Sequence, residues 1–306
     1  MKVYVPQLNR NQIGGGWSFI NNLRKALPGV DFTEDLNADM SFVPGATMVD
    51  KPELLPRPIV LRLDGIPHDE RNRGSGMNKL KKLAEMADYL VYQSEFAKRR
   101  LKMYLGDKEN STIITNGVDT ELFRPKKKVE RTFVYVSYRK DPAKRFEEAR
   151  ELFTLYAYDY PDAKLALVGR FATDQMKYGY GFYNNEKVQY VGVLQHKELA
   201  ELLGQTEMLL FPSYMDWCPN TVLEAMSCGC GIIYNSYGGV EELVYGDGLC
   251  TNTIYAAESR GIDLMEYYRS KLRPEDIADG ILVNNGLTTM GKDYLNIFIK
   301  AIKLAK

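Results

Sequence analysis

The stretch FPSYMDWCPNTVLEAMSCGCGIIYNSYGGVEELV, residues 211–244, ends a strand at Phe211, crosses a loop carrying Asp216 and enters a helix over 220–228. Pro219 stands at the helix start, where proline is tolerated because its missing N–H would have no partner there. Gly229 closes the helix, an apolar strand follows over 231–234, and another helix begins at Gly239. Strand, loop, helix and strand in that order are the unit of a parallel sheet with helices laid on its faces. Seven residues separate Asp216 from Glu224, which puts one carboxylate on the loop and the other about one turn into the helix. The two can therefore address different parts of one ligand. The amides of Asn220, Thr221 and Val222 in the first turn can donate to phosphate at the same time.

Working outward, the same alternation fills the chain. Upstream lie strands over 132–136, 164–168 (ending at Gly169), 188–191 and 208–211, with helices over 142–158 and 197–203. In the first of these helices Phe146, Ala149, Phe153 and Ala157 fall at helical spacing. Residues 124–131, where Pro125 is followed by three lysines, break the pattern and read as a linker. The first half opens with a strand over 2–6, a polar loop to Gly14-Gly15-Gly16, and a helix through Leu27 with Trp17, Ile20 and Leu23 on one face. Strands over 40–43, 59–63 and 89–92 and helices over 77–87 and 96–105 follow. The fold class is α/β: two Rossmann-like, doubly wound lobes, with ligands expected at the carboxyl ends of the strands in a cleft between them. The expected boundaries are 1–125 for the first lobe and 126–290 for the second. Over 291–306, Leu295, Phe298, Ile299 and Ile302 form one stripe, so this helix is expected to pack back on the first lobe.

Composition limits the partners. At 306 residues the chain exceeds what one hydrophobic core usually organises. Forty basic and forty acidic side chains cancel, so no global field recruits an anionic polymer. The four cysteines, Cys218, Cys228, Cys230 and Cys250, form no CxxC pair, and the two histidines, His68 and His196, are distant from them in sequence, which argues against structural zinc. There is no long apolar segment near the start and no run of 18 apolar residues. The expectation is a cytoplasmic, reduced protein without a transmembrane segment.

Two further clusters carry chemistry. Glycines between a first strand and a helix, here Gly15 and Gly16, let backbone N–H groups approach a diphosphate at a helix N-terminus. Their spacing is not G-x-G-x-x-G, which argues against a dinucleotide dehydrogenase. In the second half Ser137, Tyr138 and Arg139 follow a strand, and Lys144 comes five residues after Arg139. Arg139 and Lys144 can reach one point, where two cations stabilise a leaving diphosphate without a metal ion.

The segment 211–244 resembles the signature of the retaining family 4 glycosyltransferases, in which two glutamates separated by seven residues precede A-M-x-C-G and a later Gly-Gly. ITNGVDTELFRP (114–125), VYQSEFAKRRL (91–101) and ALVGR (166–170) resemble further motifs of that family, and the resemblance runs from about residue 2 to 245. It implies that Gly15 and Gly16 lie against the donor phosphates, that Arg139 and Lys144 clamp the diphosphate, and that Glu224 bonds the ribose hydroxyls. It places Ser137, Gly169 and the amides of Asn220, Thr221 and Val222 at the donor. Asp216 stands in for the family's first glutamate, near the transferred sugar and one methylene shorter. At the end of the strand 59–63 the family commonly has a histidine; Asp64 takes its place here and is expected to contact a donor hydroxyl or orient the acceptor, with His68 as a candidate stand-in. The implied reaction retains anomeric configuration, with the leaving diphosphate helping to deprotonate the incoming hydroxyl. No enzymic nucleophile is nominated, and no DxD pair is evident, so metal-independent transfer of a hexosyl or pentosyl group is expected, with UDP favoured over GDP as the carrier.

The acceptor is harder to read. Residues 71–108 hold ten Lys or Arg against four acids. Such a patch suits two solvated helix faces, an anionic membrane surface or a polynucleotide backbone. The loop Arg71, Asn72 and Arg73 is the acceptor-contact candidate. Glycan, lipid-linked, protein and nucleobase hydroxyls all stay open as acceptors. So do two alternatives to transfer: a GT-B-fold nucleotide-sugar epimerase and a non-catalytic nucleotide-sugar binder.

Overall fold

The computed structural model describes residues 1–9, 15–65, 73–138, 141–170, 186–260 and 263–305, excepting the side chains of 15 and 73–75. The chain divides into two units, Met1–Gly117 with Asn285–Lys306, and Val118–Asn284.

The first unit is a six-stranded sheet in the order β2-β1-β3-β4-β5-β6, parallel throughout. Its strands are β1 (Lys2–Tyr4), β2 (Asp31–Thr33), β3 (Met40–Val43), β4 (Ile59–Leu63), β5 (Tyr89–Tyr92) and β6 (Ser111–Ile113). Its helices are α1 (Gly15–Ala26), α2 (Arg73–Met86), α3 (Glu95–Leu105) and the C-terminal helix Leu287–Leu304. Every residue of β3, β4 and β5 is buried, because helices cover both faces, and this is why these strands read as continuous apolar runs instead of alternating ones. The C-terminal helix completes the core. Tyr294 and Phe298, both fully buried, pack on Phe42 with ring centroids 5.4 Å away in each case, and Phe19 of α1 lies 5.6 Å from Tyr294. Gly291 permits the close crossing with α1, since a Cβ there would stand 2.9 Å from the Ala26 carbonyl oxygen.

The second unit is a six-stranded parallel sheet in the order β12-β11-β10-β7-β8-β9. The strands are β7 (Val129–Ser137), β8 (Lys164–Gly169), β9 (Val188–Gly192), β10 (Thr206–Phe211), β11 (Gly231–Tyr234) and β12 (Leu249–Cys250). The helices described are α4 (Phe146–Asp159), α5 (His196–Gln205), α6 (Asn220–Ser227), α7 (Val240–Leu243), α8 (Thr251–Glu258), α9 (Leu264–Lys271) and α10 (Pro274–Asn285). Strand periodicity builds two cores from one strand: Phe133 and Tyr135 of β7 face α4, while Val134 and Val136 face α5 and α6.

One expected helix differs. The chain over 142–158 is not continuous: Pro142–Lys144 is a 3-10 turn capped by the Asp141 side chain, which accepts from Ala143 N at 2.9 Å, and Arg145 is left-handed at φ 49°. The helix starts afresh at Phe146. The break sets Lys144 outside the helix, on the turn that follows β7.

A polar cluster fastens α9 to the sheet. Arg269 pairs with Glu207 at 3.3 Å and with Glu266 at 2.7 Å, Arg131 bridges Asp162 at 3.0 Å and Glu266 at 3.3 Å, and the Tyr156 hydroxyl donates to Glu266. Hydrogen bonding from Arg269 foremost holds the Glu266 carboxyl down at about 2. A depressed acid contributes stability that is complete above its unfolded pKa and vanishes as pH falls through the folded one. Glu266→Gln is therefore expected to lower stability by about 1–2 kcal/mol at pH 7, after allowance for solvent screening. It is also expected to flatten the loss between about pH 4.5 and 2. Urea midpoints across that range check this; parallel acid limbs in the two proteins would count against it.

Candidate functional site

In the second unit the strand order reverses between β7 and β10: β8 and β9 lie on one side, β11 and β12 on the other. The loops leaving the carboxyl ends of β7 and β10 part at this point, and open α/β sheets bind ligands in the gap so formed. Ser137 ends β7 and is 4% exposed; Gly169 ends the neighbouring β8, paired with Ser137 in register. Gly169 has φ +129°, and an added Cβ would overlap the Ser137 carbonyl oxygen. Arg170 N donates to that same oxygen at 3.2 Å, and Tyr190 Oη donates to Gly169 O at 2.6 Å, so the two strand ends are tightly fixed.

The β7 and β10 loops meet through Lys144 and Asp216. Lys144 Nζ pairs with Asp216 Oδ2, and Ser213 Oγ donates to the same oxygen at 3.1 Å. The backbone holds the pair from several sides. Tyr135 Oη donates to Lys144 O at 3.1 Å, Tyr214 N to Ala143 O at 2.7 Å, and Gly239 N to Asp216 O at 2.7 Å. The lysine side chain keeps 30% of its exposure and the aspartate 18%, so the ammonium is oriented by its partner while a face of it stays open to an anion. An ammonium has three donors, and a phosphate oxygen can share it with Asp216.

Glu224 lies within α6, only 7% exposed, and burial alone raises its carboxyl to about 7. Tyr138, just beyond β7, is its neighbour in charge. Burial first, then the Glu224 carboxylate, pushes the Tyr138 phenol up to about 12, and its hydroxyl donates to Leu194 O at 3.3 Å. A carboxyl buried in this way is poised to ionise when a ligand brings donors to it, because new hydrogen bonds favour the charged form. Asn220, Thr221 and Val222 form the first turn of the same helix, behind Pro219.

In the first unit Gly15 and Gly16 open α1, following β1, and space beside Gly16 is open for 4 Å around a would-be Cβ. Asp64 follows β4 and packs on Gly45, where a Cβ would collide with its carboxylate. Protein crowding raises the Asp64 carboxyl and Arg62 pulls it back down, yet the residue is exposed by accessible surface. Arg139, Asn72, Arg71 and His68 lie outside the described residues, as does the side chain of Arg73, which begins α2.

Sequence reasoning did not single out four residues that the structure places at these strand ends and loops. Arg62, 3% exposed, donates to Pro44 O at 3.2 Å and to Asn116 Oδ1 at 2.8 Å, and its guanidinium lies 3.9 Å from the Phe19 ring centroid. It ties the ends of β3, β4 and β6 to α1, and one arginine in the apolar run IVLRL was the available signal. Ser213 was signalled only by its place three residues before Asp216. The stacked rings of Tyr214 and Tyr237 had no local signal, because they come from two different loops.

Among the described residues, no group of three or more His, Cys, Asp or Glu is placed to hold a metal ion, and no helix is long and apolar enough to cross a membrane.

Comparison with known proteins assigns the class. Over its whole length the chain superposes on sucrose-phosphate synthase from Thermosynechococcus elongatus, with TM-score 0.77, 15% identity and all of both chains covered. It also superposes on Anabaena Alr3699/HepE in complex with UDP and glucose, with TM-score 0.74, 14% identity, and 98% of this chain and 99% of that one covered. The two doubly wound sheets are those of a GT-B protein. Residues 118–262 match the family described as Glycosyl transferases group 1. The match lies within the second unit and makes that part of the chain similar to the glycosyl transferases of group 1.

Among curated relatives, it is 29% identical over 128 residues to a Campylobacter jejuni N,N'-diacetylbacillosaminyl-diphospho-undecaprenol alpha-1,3-N-acetylgalactosaminyltransferase, covering 40% of this chain and 33% of that protein. It is 24% identical over 194 residues to a GDP-mannose-dependent monoacylated alpha-(1-6)-phosphatidylinositol monomannoside mannosyltransferase of Corynebacterium glutamicum, covering 54% of this chain and 49% of that protein. The matches span a third to a half of the length of these relatives.

Proposed function

We propose that this protein is a retaining glycosyltransferase that moves a hexosyl or pentosyl group from a nucleotide diphosphate sugar to a hydroxyl, without a metal ion and in the cytoplasm. The observation that carries this reading is the Lys144–Asp216 pair at the β7/β10 switch point, in the same unit as a buried acid on α6. In the proposed reaction Lys144, with Arg139, neutralises the charge that develops on the leaving diphosphate. Asp216 orients the transferred sugar, the first amides of α6 hold phosphate, Ser137 and Gly169 shape the floor, and Glu224 accepts from the ribose hydroxyls. Gly15 and Gly16 present amides to the phosphates, and Asp64 contacts a donor hydroxyl or orients the acceptor. Arg71, Asn72 and Arg73 are proposed as acceptor contacts. UDP is favoured over GDP, and the complexes of the Anabaena protein with UDP and glucose support that choice.

Glu224 gives the test. Because its carboxyl titrates near 7 and the ionised form is the acceptor for ribose, donor affinity is expected to rise as pH increases through 7, with a proton released on binding. Glu224→Gln is expected to weaken UDP-glucose or GDP-mannose binding by at least tenfold at pH 8, roughly the 1.4 kcal/mol or more of one charge-assisted bond. Its effect on folding has the opposite sign. The native state binds the extra proton between the unfolded value of 4.5 and about 7, so wild-type stability falls as pH rises across that window. The glutamine variant escapes this loss and is expected to be more stable than wild type by about 2–3 kcal/mol at pH 8, and level with it near pH 4. Thermal shift with and without each nucleotide sugar reads both effects. A variant that binds donor as well as wild type would remove Glu224 from the site, and a wild type stabilised by neither nucleotide sugar would remove the function.

A further inference from the structure

The rings of Tyr214 and Tyr237 stack with centroids 4.6 Å apart and planes at 11°. Tyr214, on the loop after β10, is 42% exposed, and Tyr237, on the loop after β11, is half-buried. Two features separate this pair from an ordinary surface aromatic. First, it is fixed: Tyr214 N donates to Ala143 O at 2.7 Å, Met215 N donates to Tyr237 O at 2.8 Å, and Met215 takes a left-handed φ of 59° between them. Gly238 leaves no room for adjustment, since a Cβ there would stand 2.9 Å from Asp216 O. A ring held this way loses little freedom when something settles on it. Second, the polar groups nearest along the loop are those of the candidate site: Ser213 adjoins Tyr214, Asp216 lies two residues on, and Lys144 follows the Ala143 carbonyl that Tyr214 caps.

We propose that Tyr214, backed by Tyr237, is a stacking platform for a pyranose ring, a role that rests on the transferase reading above. The face of a phenol ring is electron-rich and attracts the polarised C–H bonds of a sugar's apolar face. Meanwhile the equatorial hydroxyls of the same sugar extend sideways, and the Ser213 hydroxyl and Asp216 carboxylate on the same loop are the candidate partners for them. An acyl chain would gain nothing from a carboxylate at its edge. The shared chemistry, a hexopyranose C–H face over an aromatic ring, is present in both the donor's sugar and a saccharide acceptor.

Saturation-transfer NMR distinguishes these sources, using UDP-glucose, GDP-mannose and maltotriose with wild type, Tyr214→Leu, Tyr237→Leu and Tyr214→Phe. Tyr214 is a surface residue, so its variants are expected to melt with wild type, and the phenylalanine variant retains the ring. Roughly tenfold weaker hexose binding in Tyr214→Leu, a smaller loss in Tyr237→Leu and little change in Tyr214→Phe are expected. If the lost signals are the hexosyl protons of a nucleotide sugar while its nucleoside protons persist, the platform serves the donor. If maltotriose alone is lost, it serves the acceptor. Equal binding of all three probes by wild type and both leucine variants overturns the proposal, as does a loss confined to base and ribose protons. A wild type that contacts no hexose also overturns it. Absence of nucleotide-sugar binding with maltotriose still seated on Tyr214 would strike the donor reading and leave the platform standing.

Discussion

Lys144→Met is expected to lower kcat by about 10²–10³, with a much smaller change in donor affinity, because charge on the leaving diphosphate is greatest in the transition state. The side chain is well placed for this. It projects from a 3-10 turn capped by Asp141 and halted by left-handed Arg145, and its ammonium is already directed by Asp216. Orientation arranged during folding costs nothing at the moment of reaction, which is where electrostatic catalysis gains over water. The variant also leaves the largely buried Asp216 without its cation, so a loss of about 1–2 kcal/mol in stability should accompany it. Adding Asp216→Asn should recover the stability and none of the rate. Steady-state kinetics with the nucleotide sugar that stabilises the protein, alongside urea melts, separate the two effects. A kcat within threefold of wild type would show that the lysine does not touch the leaving group.

Gly169→Ala is expected to destabilise the second unit by more than about 3 kcal/mol. Two penalties act together. The backbone there has φ +129°, which a side chain disfavours, and the new methyl would overlap the Ser137 carbonyl oxygen on the neighbouring strand. Relief requires the β7 and β8 ends to part, breaking the Ser137–Gly169 register and the Arg170 hydrogen bond to the same carbonyl. Any protein that folds should therefore bind donor poorly as well. The shift in urea midpoint measures this; a change below about 1 kcal/mol would mean that the strand ends are not held as described.

Much of this architecture is written in local pattern. The strands at 40–43, 59–63 and 89–92 could be read because burial on both faces demands unbroken apolar runs, and the helix after Pro219 because its punctuation is local. The short edge strands β2, β6 and β12 were not read, since two or three residues paired on one side carry little signature of their own. The break at Arg145 was likewise hidden. Its sequence suits a helix, and the left-handed turn shows only in the fold, where Arg145 Nε meets Glu148 at 2.8 Å. For the site, residue types at fixed spacing nominated Lys144 and Asp216 singly, but their pairing joins residues 72 positions apart and only the fold reveals it. Arg62 and the Tyr214–Tyr237 stack belong to the same class: each gains its meaning from neighbours supplied by distant loops.

The helix that seals the amino-terminal core is encoded after the entire second unit. On the ribosome, the sheet that emerges first must therefore wait, with Phe19 and Phe42 uncovered, until Tyr294 and Phe298 arrive. The second body has no such debt and can mature beforehand. A premature stop near Asn285 would thus spare the later-encoded half and leave the earlier one unable to close, making the beginning of the chain the hostage of its far end.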